Sequence, residues 1–334
     1  MKILIIESCE KKINSDYSNT SIVHVRNSLI ISDILGADLI THETDIPKFI
    51  DNKYDYIICM YASPYMKWKK YIKILEKNMN AKLIWLVNDH DLEDNILLRQ
   101  AILYQDRKYS VICNNPQEGY RHWILGKNIL DKKLKDFICG WTTINLNVLI
   151  FTTEKRVLIN DGLFNYVKKG LVYYGTFRKY RTVDILKYNG LEYTISTSKK
   201  NQIKYLNSGI KSNLIGRLDW TKGKETLVNF KYSIYFEDLH THTNYAYMAN
   251  RYYECLMCGV LMFFDDTCIE TIKKSNYKVP EYLIVSGKKD LEAKIKAINL
   301  GSDLYRSLLT DQESNFEAII EEKRTVVKSL KELL

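Results

Sequence analysis

Asn250–Asp266, NRYYECLMCGVLMFFDD, is the stretch from which the fold can be read. Arg251 and Glu254 lie three apart, so on a helix they share one face. Leu256 and Met257 continue the helix as apolar positions, Gly259 has the place of a C′ residue, and Val260 to Phe264 is a short, wholly apolar run of the kind a buried parallel strand requires. Helix, glycine and buried strand in that order make half of an α/β unit. An arginine and a glutamate on that helix suit a ligand with both anionic and hydroxyl groups, because guanidinium pairs with phosphate and a carboxylate accepts from two sugar hydroxyls. Nucleotide sugars carry both. The same spacing also fits a plain i,i+3 surface ion pair, which is common and weak.

Working outward through the second half, Gly170 to Tyr174 reads as a strand, followed by Gly175, Thr176, Phe177, Arg178, Lys179, Tyr180 and Arg181 and a helix from Thr182 to Tyr188. A glycine at a strand end, a hydroxyl and two arginines entering a helix suit a diphosphate: amides and the positive helix end attract it while guanidiniums clamp it. A basic first turn otherwise opposes the helix dipole. Leu191–Ser198 reads as a strand, Lys200–Asn207 as a short helix, Asn213–Arg217 as a strand reaching Gly216, Glu225–Phe230 as helical and Tyr232–Glu237 as a strand. Asp238, His240 and His242 then alternate in a loop that would either bind a metal or rim a cleft. A strand at Tyr282–Val285 and helices at Lys289–Leu300 and Ser307–Leu334 complete the reading.

The first half alternates in the same way. Lys2–Glu7 is a strand, and a polar loop leads to a helix from Ser21 to Leu35 closed by Gly36. The glycine-rich phosphate fingerprint is missing, so no dinucleotide site is expected there. Ala37–Thr41, Tyr54–Tyr61 and Lys82–Val87 read as strands and Met66–Asn78 as a helix, which implies a parallel sheet covered on both faces. The strand Lys82–Val87 ends in Asn88, Asp89, His90 and Asp91, at the carboxyl edge where ligands of open α/β sheets collect. Asp89 could be a general base there, or the N-cap of the helix from Leu92 to Tyr104. After a strand at Tyr109–Asn114, residues 116–153 mix Trp123 and Trp141 with Lys127, Lys132, Lys133 and Lys135, and 154–169 reads as a linker.

At 334 residues the expectation is two domains, and 46% hydrophobic with 27% charged residues describes an ordinary globular chain. No apolar run has the length of a membrane span, so residence in the cytoplasm is expected and a membrane partner is not. The formal charge of +9 leans toward a polyanionic partner, although AT-rich coding would also enrich lysine. Cys9, Cys59, Cys113, Cys139, Cys255, Cys258 and Cys268 are an odd number, mostly within apolar runs, as reduced core thiols would be. Cys255 and Cys258 spell C-x-x-C without the second pair that a zinc site needs.

Taken in order, these motifs resemble the DNA β-glucosyltransferases of T-even phages, enzymes of the GT-B fold. The resemblance spans essentially the whole chain and is most specific in the second half. VYYGTFRKYR resembles the strand, glycine, hydroxyl residue and arginines that hold the donor diphosphate, with Arg178 a direct match and Arg181 one position closer than the pattern. NRYYECLMCGVLMFFDD resembles the Arg-x-x-Glu helix, which makes Arg251 a diphosphate ligand and Glu254 a ribose ligand. LIGRLDW, with Gly216, Arg217 and Leu218, resembles the turn whose backbone pairs with uracil, and here arginine stands where the family has lysine. LIWLVNDHD resembles the strand and loop of the catalytic aspartate, which puts Asp89 in that role. The sequence departs from the pattern around Thr194–Ser196, where a glycine has no clear counterpart, and near His24, where an acidic residue of the family falls.

The resemblance therefore implies an α/β chain of GT-B type: two Rossmann-like domains with parallel sheets facing a central cleft. The expected divisions are an acceptor domain over 1–168, a nucleotide-sugar domain over 169–310, and a C-terminal helix at 311–334 returning to the first. It implies an inverting transfer from a UDP-sugar, with UDP-glucose expected, to the hydroxymethyl group of a base flipped out of double-stranded DNA in a phage-infected host cell, by a monomer. A divalent ion, Mg2+ or Mn2+, would assist UDP departure, and no residues are expected as its ligands. Two other classes fit the same motifs less fully: a GT-B transferase with a lipid or polysaccharide acceptor, and a DNA-binding protein without activity.

Overall fold

The structure is a computed structural model and describes residues 1–7, 23–60, 68–87, 96–114, 136–152, 169–220, 226–237 and 248–334. Its contacts divide the chain into two units, 1–149 together with 324–334, and 150–323. Each is organised by a six-stranded, all-parallel sheet.

The first sheet consists of β1 (Ile3–Ile6), β2 (Asp38–Ile40), β3 (Tyr56–Cys59), β4 (Lys82–Val87), β5 (Tyr109–Cys113) and β6 (Ile138–Thr143), in the order β2-β1-β3-β4-β5-β6. Among its helices are α1 (Val23–Leu35), the short α2 (Ile46–Phe49), α3 (Trp68–Lys77) and α4 (Ile96–Gln105). β1 and β3 are buried at every residue, as strands covered on both faces must be. Gly36 ends α1 at φ 60°, a conformation in which a Cβ is unfavourable. Arg107 is buried and donates to the carbonyls of Leu75, Asn78 and Ala81, so it satisfies the end of α3 and the turn into β4. The last residues of the chain belong to this unit, and Tyr56 Oη donates to the Leu334 carbonyl.

The second sheet consists of β7 (Lys169–Tyr174), β8 (Tyr193–Ser196), β9 (Asn213–Ile215), β10 (Phe230–Tyr235), β11 (Leu261–Asp265) and β12 (Ile284–Val285), in the order β12-β11-β10-β7-β8-β9. Among its helices are α5 (Lys179–Leu186), α6 (Lys199–Asn207), α7 (Asn250–Met257), α8 (Ile269–Lys274), α9 (Lys288–Leu300) and α10 (Ser302–Glu313), while α11 (Phe316–Glu332) begins in this unit and belongs to the first from Arg324 on. The chain builds outward from β7 to β9 and then returns to place β10 on the other side of β7. The strand order therefore reverses between β7 and β10. Such a reversal opens a crevice at the carboxyl ends of the two strands, since their connections leave to opposite sides. α7 ends as its sequence requires: Cys258 is the C-cap, Gly259 follows at φ 59°, and Val260 N–H bonds back to the Cys255 carbonyl at 2.9 Å.

The structure departs from the sequence reading at several places, among them the short helices α2 and α8, which it did not expect. β6 lies within the mixed stretch 116–153, for which no strand was expected, because ICGWTT is a half-exposed edge strand without an apolar run. Helix α5 begins at Lys179 rather than Thr182, which puts Arg181 inside its first turn. Residues 226–229 form a short 3-10 helix within the stretch expected to be helical, and only Ile284–Val285 of the expected 282–285 strand pairs. The helix expected over 307–334 is two helices. Buried Asn315 breaks it, exchanging hydrogen bonds of 2.8 Å in both directions with the backbone of Lys278. The linker expected at 154–169 lies almost wholly outside the described residues, since β7 already begins at Lys169.

Candidate functional site

The carboxyl ends of β7 and β10 and the first turn of α7 bring together the polar groups that the second half of the sequence singles out. Arg251 is the second residue of α7, and Glu237 follows β10 by two residues. Arg251 Nη1 donates to Glu237 Oε1 at 3.0 Å and to the Phe236 carbonyl. Its guanidinium carbon lies 5.6 Å from the ring centre of Tyr173 and 5.3 Å from that of Tyr235, within cation–π range of both. Burial works to lower the pKa of Arg251, and Glu237 with Tyr173 more than offsets this, so the guanidinium is held charged above its ordinary value.

Arg181 approaches the same carboxylate from α5. Its Nη2 donates to Glu237 Oε2 at 3.2 Å and its Nη1 to Tyr173 Oη at 3.0 Å. The three charged side chains are almost closed off from solvent, at 5% exposure for Glu237, 8% for Arg181 and 12% for Arg251. Two guanidiniums thus share one carboxylate, which leaves this trio with a formal excess of one positive charge.

Glu254 does not pair with Arg251. It is 2% exposed, and its Oε2 accepts from Tyr174 Oη at 2.8 Å. The surface i,i+3 ion pair that the spacing allows is therefore absent: the arginine turns to Glu237 and the glutamate to Tyr174. Burial first, with the neighbouring Cys255 and Glu254, pushes the Tyr174 phenol well above its usual pKa, so it remains a donor to the carboxylate. The Tyr174 ring lies 5.8 Å from that of Trp220, which places the turn after β9 beside this pair.

Gly175 follows β7 directly. A Cβ built there would stand 3.1 Å from Tyr173 Oη and 3.5 Å from Arg251 Nη2, so glycine lets the backbone pass close to both groups where a side chain would crowd them. Thr197 Oγ1 donates to the Gly175 carbonyl at 2.7 Å and Ser196 Oγ to that of Gly216 at 2.8 Å, so the ends of β7 and β9 are tied through β8. Gly216 and Arg217 are exposed and Leu218 is buried. Thr176 is exposed, and so is Arg178, whose carbonyl starts α5 by accepting from Thr182 N–H and Oγ1. The Arg178 guanidinium makes no ion pair among the described residues.

Glu237 is the residue that sequence reasoning missed. Its only signal was an acidic side chain at the end of an apolar strand, and nothing local names its partners. A second such carboxylate, Glu7 at the end of β1, is fully buried and accepts from Ser28 Oγ of α1 at 2.8 Å. Asp89, with its neighbours Asn88, His90 and Asp91, lies outside the described residues, as do Asp238 to His242, Trp123 and Lys127 to Lys135. Trp141 is in β6. Cys255 and Cys258 are both buried and neither is in a disulfide, and burial holds the Cys255 thiol up at about 12, the opposite of what a metal ligand or redox thiol needs. Among the described residues no three His, Cys, Asp or Glu side chains stand together as a metal-ligand set. Nor is any helix among them long and apolar enough to cross a membrane.

No protein-family model matches the chain, and no curated protein matches it in sequence. Solved structures do. The T4 phage β-glucosyltransferase in complex with UDP and Mn2+ superposes with a TM-score of 0.66 at 13% identity, over 99% of each chain. An α-glucosyltransferase in complex with UDP-glucose and DNA containing an abasic site gives 0.64 at 11% identity, over 100% of this chain and 99% of that one. Anabaena Alr3699/HepE in complex with UDP and glucose gives 0.51 at 9%, over 99% of this chain and 100% of that one. The two six-stranded parallel sheets are those of the GT-B fold.

Proposed function

We propose that this chain is a UDP-sugar-dependent hexosyltransferase that moves a sugar, with glucose the favoured one, to the hydroxymethyl group of a modified base in double-stranded DNA. The observation that carries the reading is the cationic crevice between β7 and β10: Arg251 Nη2 beside the backbone of Gly175, with Glu254 on the same helix. The likeness to glucosyltransferases solved with UDP-glucose and with DNA supports the choice of donor and acceptor.

In this reading the diphosphate lies against Gly175 and Thr176, with Arg251 and Arg178 as its direct partners and Arg181 adding charge from behind through Tyr173 and Glu237. Glu254, held by Tyr174, accepts from the ribose hydroxyls, and the turn at Gly216, Arg217 and Leu218 receives the uracil. The hydroxymethyl oxygen attacks the anomeric carbon in line, the bond from that carbon to the diphosphate oxygen breaks, and the carboxylate of Asp89 takes the hydroxymethyl proton. Negative charge grows on the departing UDP as that bond breaks, so fixed guanidiniums stabilise the transition state more than the bound donor. Attack from the face opposite the leaving group inverts the anomeric centre. A base inside a duplex cannot reach such a crevice, so it must be extruded, and the net charge of +9 favours holding the phosphate backbone meanwhile. The described residues offer Mg2+ or Mn2+ no ligand set, and no step is assigned to the ion.

The test is UDP release from UDP-glucose in the presence of hydroxymethylated DNA, by the native chain and by Asp89→Asn. Release should require the DNA, add a hexose mass to it, and fall by about 100-fold or more in the variant while UDP binding persists. Normal turnover by Asp89→Asn would remove Asp89 from the role of base. Release that is indifferent to DNA would transfer the proposal to a lipid or polysaccharide acceptor.

A further inference from the structure

We infer that Glu237 is a positioning residue for the donor site: it fixes which edge of Arg251 meets the diphosphate. The inference rests on the proposed donor site and goes one layer behind it. Burying a carboxylate between two guanidiniums is not an efficient way to stabilise a fold, because each ion loses its hydration. The arrangement makes sense as a device for direction. Arg251 Nη1 is taken twice, by Glu237 Oε1 at 3.0 Å and by the Phe236 carbonyl, and Tyr173 and Tyr235 lie within cation–π range of the guanidinium. A planar guanidinium held by one edge has its other edge fixed in space. That other edge carries Nη2, which has no hydrogen-bond partner among the described residues and lies 3.5 Å from where a side chain at Gly175 would begin. The second carboxylate oxygen does the same for Arg181, whose Nη2 it accepts at 3.2 Å. One acidic side chain thus aligns two cations from different helices and still leaves the crevice positive.

A double-mutant cycle on UDP binding tests this, using calorimetry with UDP alone and the full-length chain. Arg251→Ala should weaken UDP by about tenfold or more in the native background, the loss expected for a charged hydrogen bond to phosphate. Glu237→Gln keeps the length of the side chain but sets an amide N–H₂ against a guanidinium donor, and it should weaken UDP on its own. In the Glu237→Gln background Arg251→Ala should then cost no more than about twofold, because the arginine is no longer aimed. Multiplicative losses would overturn the positioning role, and so would tighter UDP binding by Glu237→Gln, which would make the carboxylate a competitor of the anion. If Arg251→Ala leaves UDP affinity unchanged in the native background, the donor site itself is misassigned and the role of Glu237 falls with it. Melting curves check that each variant is folded. Should Glu237→Gln fail to fold, Glu237→Asp replaces it in the cycle, since it keeps the charge and draws it back by one methylene.

Discussion

Position 175 matters for the atoms it lacks. Gly175 is not among the glycines with positive φ, so the backbone there would accept any residue, and what glycine provides is room beside Tyr173 Oη and Arg251 Nη2. Gly175→Ala should fold normally yet weaken UDP by about fivefold or more, because the methyl must displace a phenol that Arg181 also uses or a guanidinium held on its other edge. Gly216 is the contrast: a Cβ there meets nothing within 4 Å, so Gly216→Ala should leave the melting temperature unchanged, and any loss of UDP affinity would report a ligand lying against that backbone. Calorimetry and melting curves on the two variants check both statements. At this scale the sequence was legible where chemistry and spacing coincide, at Arg251 and Glu254 three apart on one helix. It was silent on Glu237, whose partners stand 14 and 56 residues away, and on the fact that Arg251 and Glu254 each turn to a group other than the other.

At the scale of elements, the alternation of strand and helix was readable because a parallel strand covered on both faces reads as an unbroken apolar run, as in ILII, YIIC and the LMFF of β11. β6 escaped because an edge strand is under no such constraint, and Gly140 within it serves close approach, its absent Cβ lying 3.1 Å from Ser110 Oγ of β5. The break between α10 and α11 escaped for a related reason. Gln312 and Asn315 read as ordinary helix-surface residues, yet both are buried and spend their amides on distant backbone. Gln312 accepts from Met262 N–H at 2.9 Å and donates to the Val260 carbonyl at 3.0 Å, so a helix side chain completes the hydrogen bonding at the start of β11. Gln312→Ala strips the partners from two buried backbone groups, and urea denaturation should show a loss of about 2–4 kcal/mol. UDP affinity at temperatures well below unfolding should be unchanged, since Gln312 touches nothing in the crevice.

In the molecule as a whole, each unit repeats one plan, a six-stranded parallel sheet with a buried acidic side chain at a strand's carboxyl end, Glu7 in the first and Glu237 in the second. Each unit also buries a free cysteine whose thiol is held far above its usual value: Cys59 and Cys255 are both raised from 9.0 to about 12, first by loss of hydration. The consequence for stability has a definite sign. A thiol that keeps its proton to about pH 12 when folded and releases it near 9.0 when unfolded contributes stability that is whole below pH 9 and is lost as the pH rises toward 12. Buried phenols add to the same slope, with Tyr193 and Tyr305 raised from 10.0 to about 12, so the decline should steepen beyond pH 10. Under reducing conditions the urea midpoint should therefore be level from pH 7 to 9 and fall between 9 and 11. Cys255→Ala should flatten part of that fall, at the cost of a small cavity apparent at every pH. A midpoint that stays level to pH 11 would mean that these thiols ionise alike in the folded and unfolded chain, and that water reaches interiors which the structure closes.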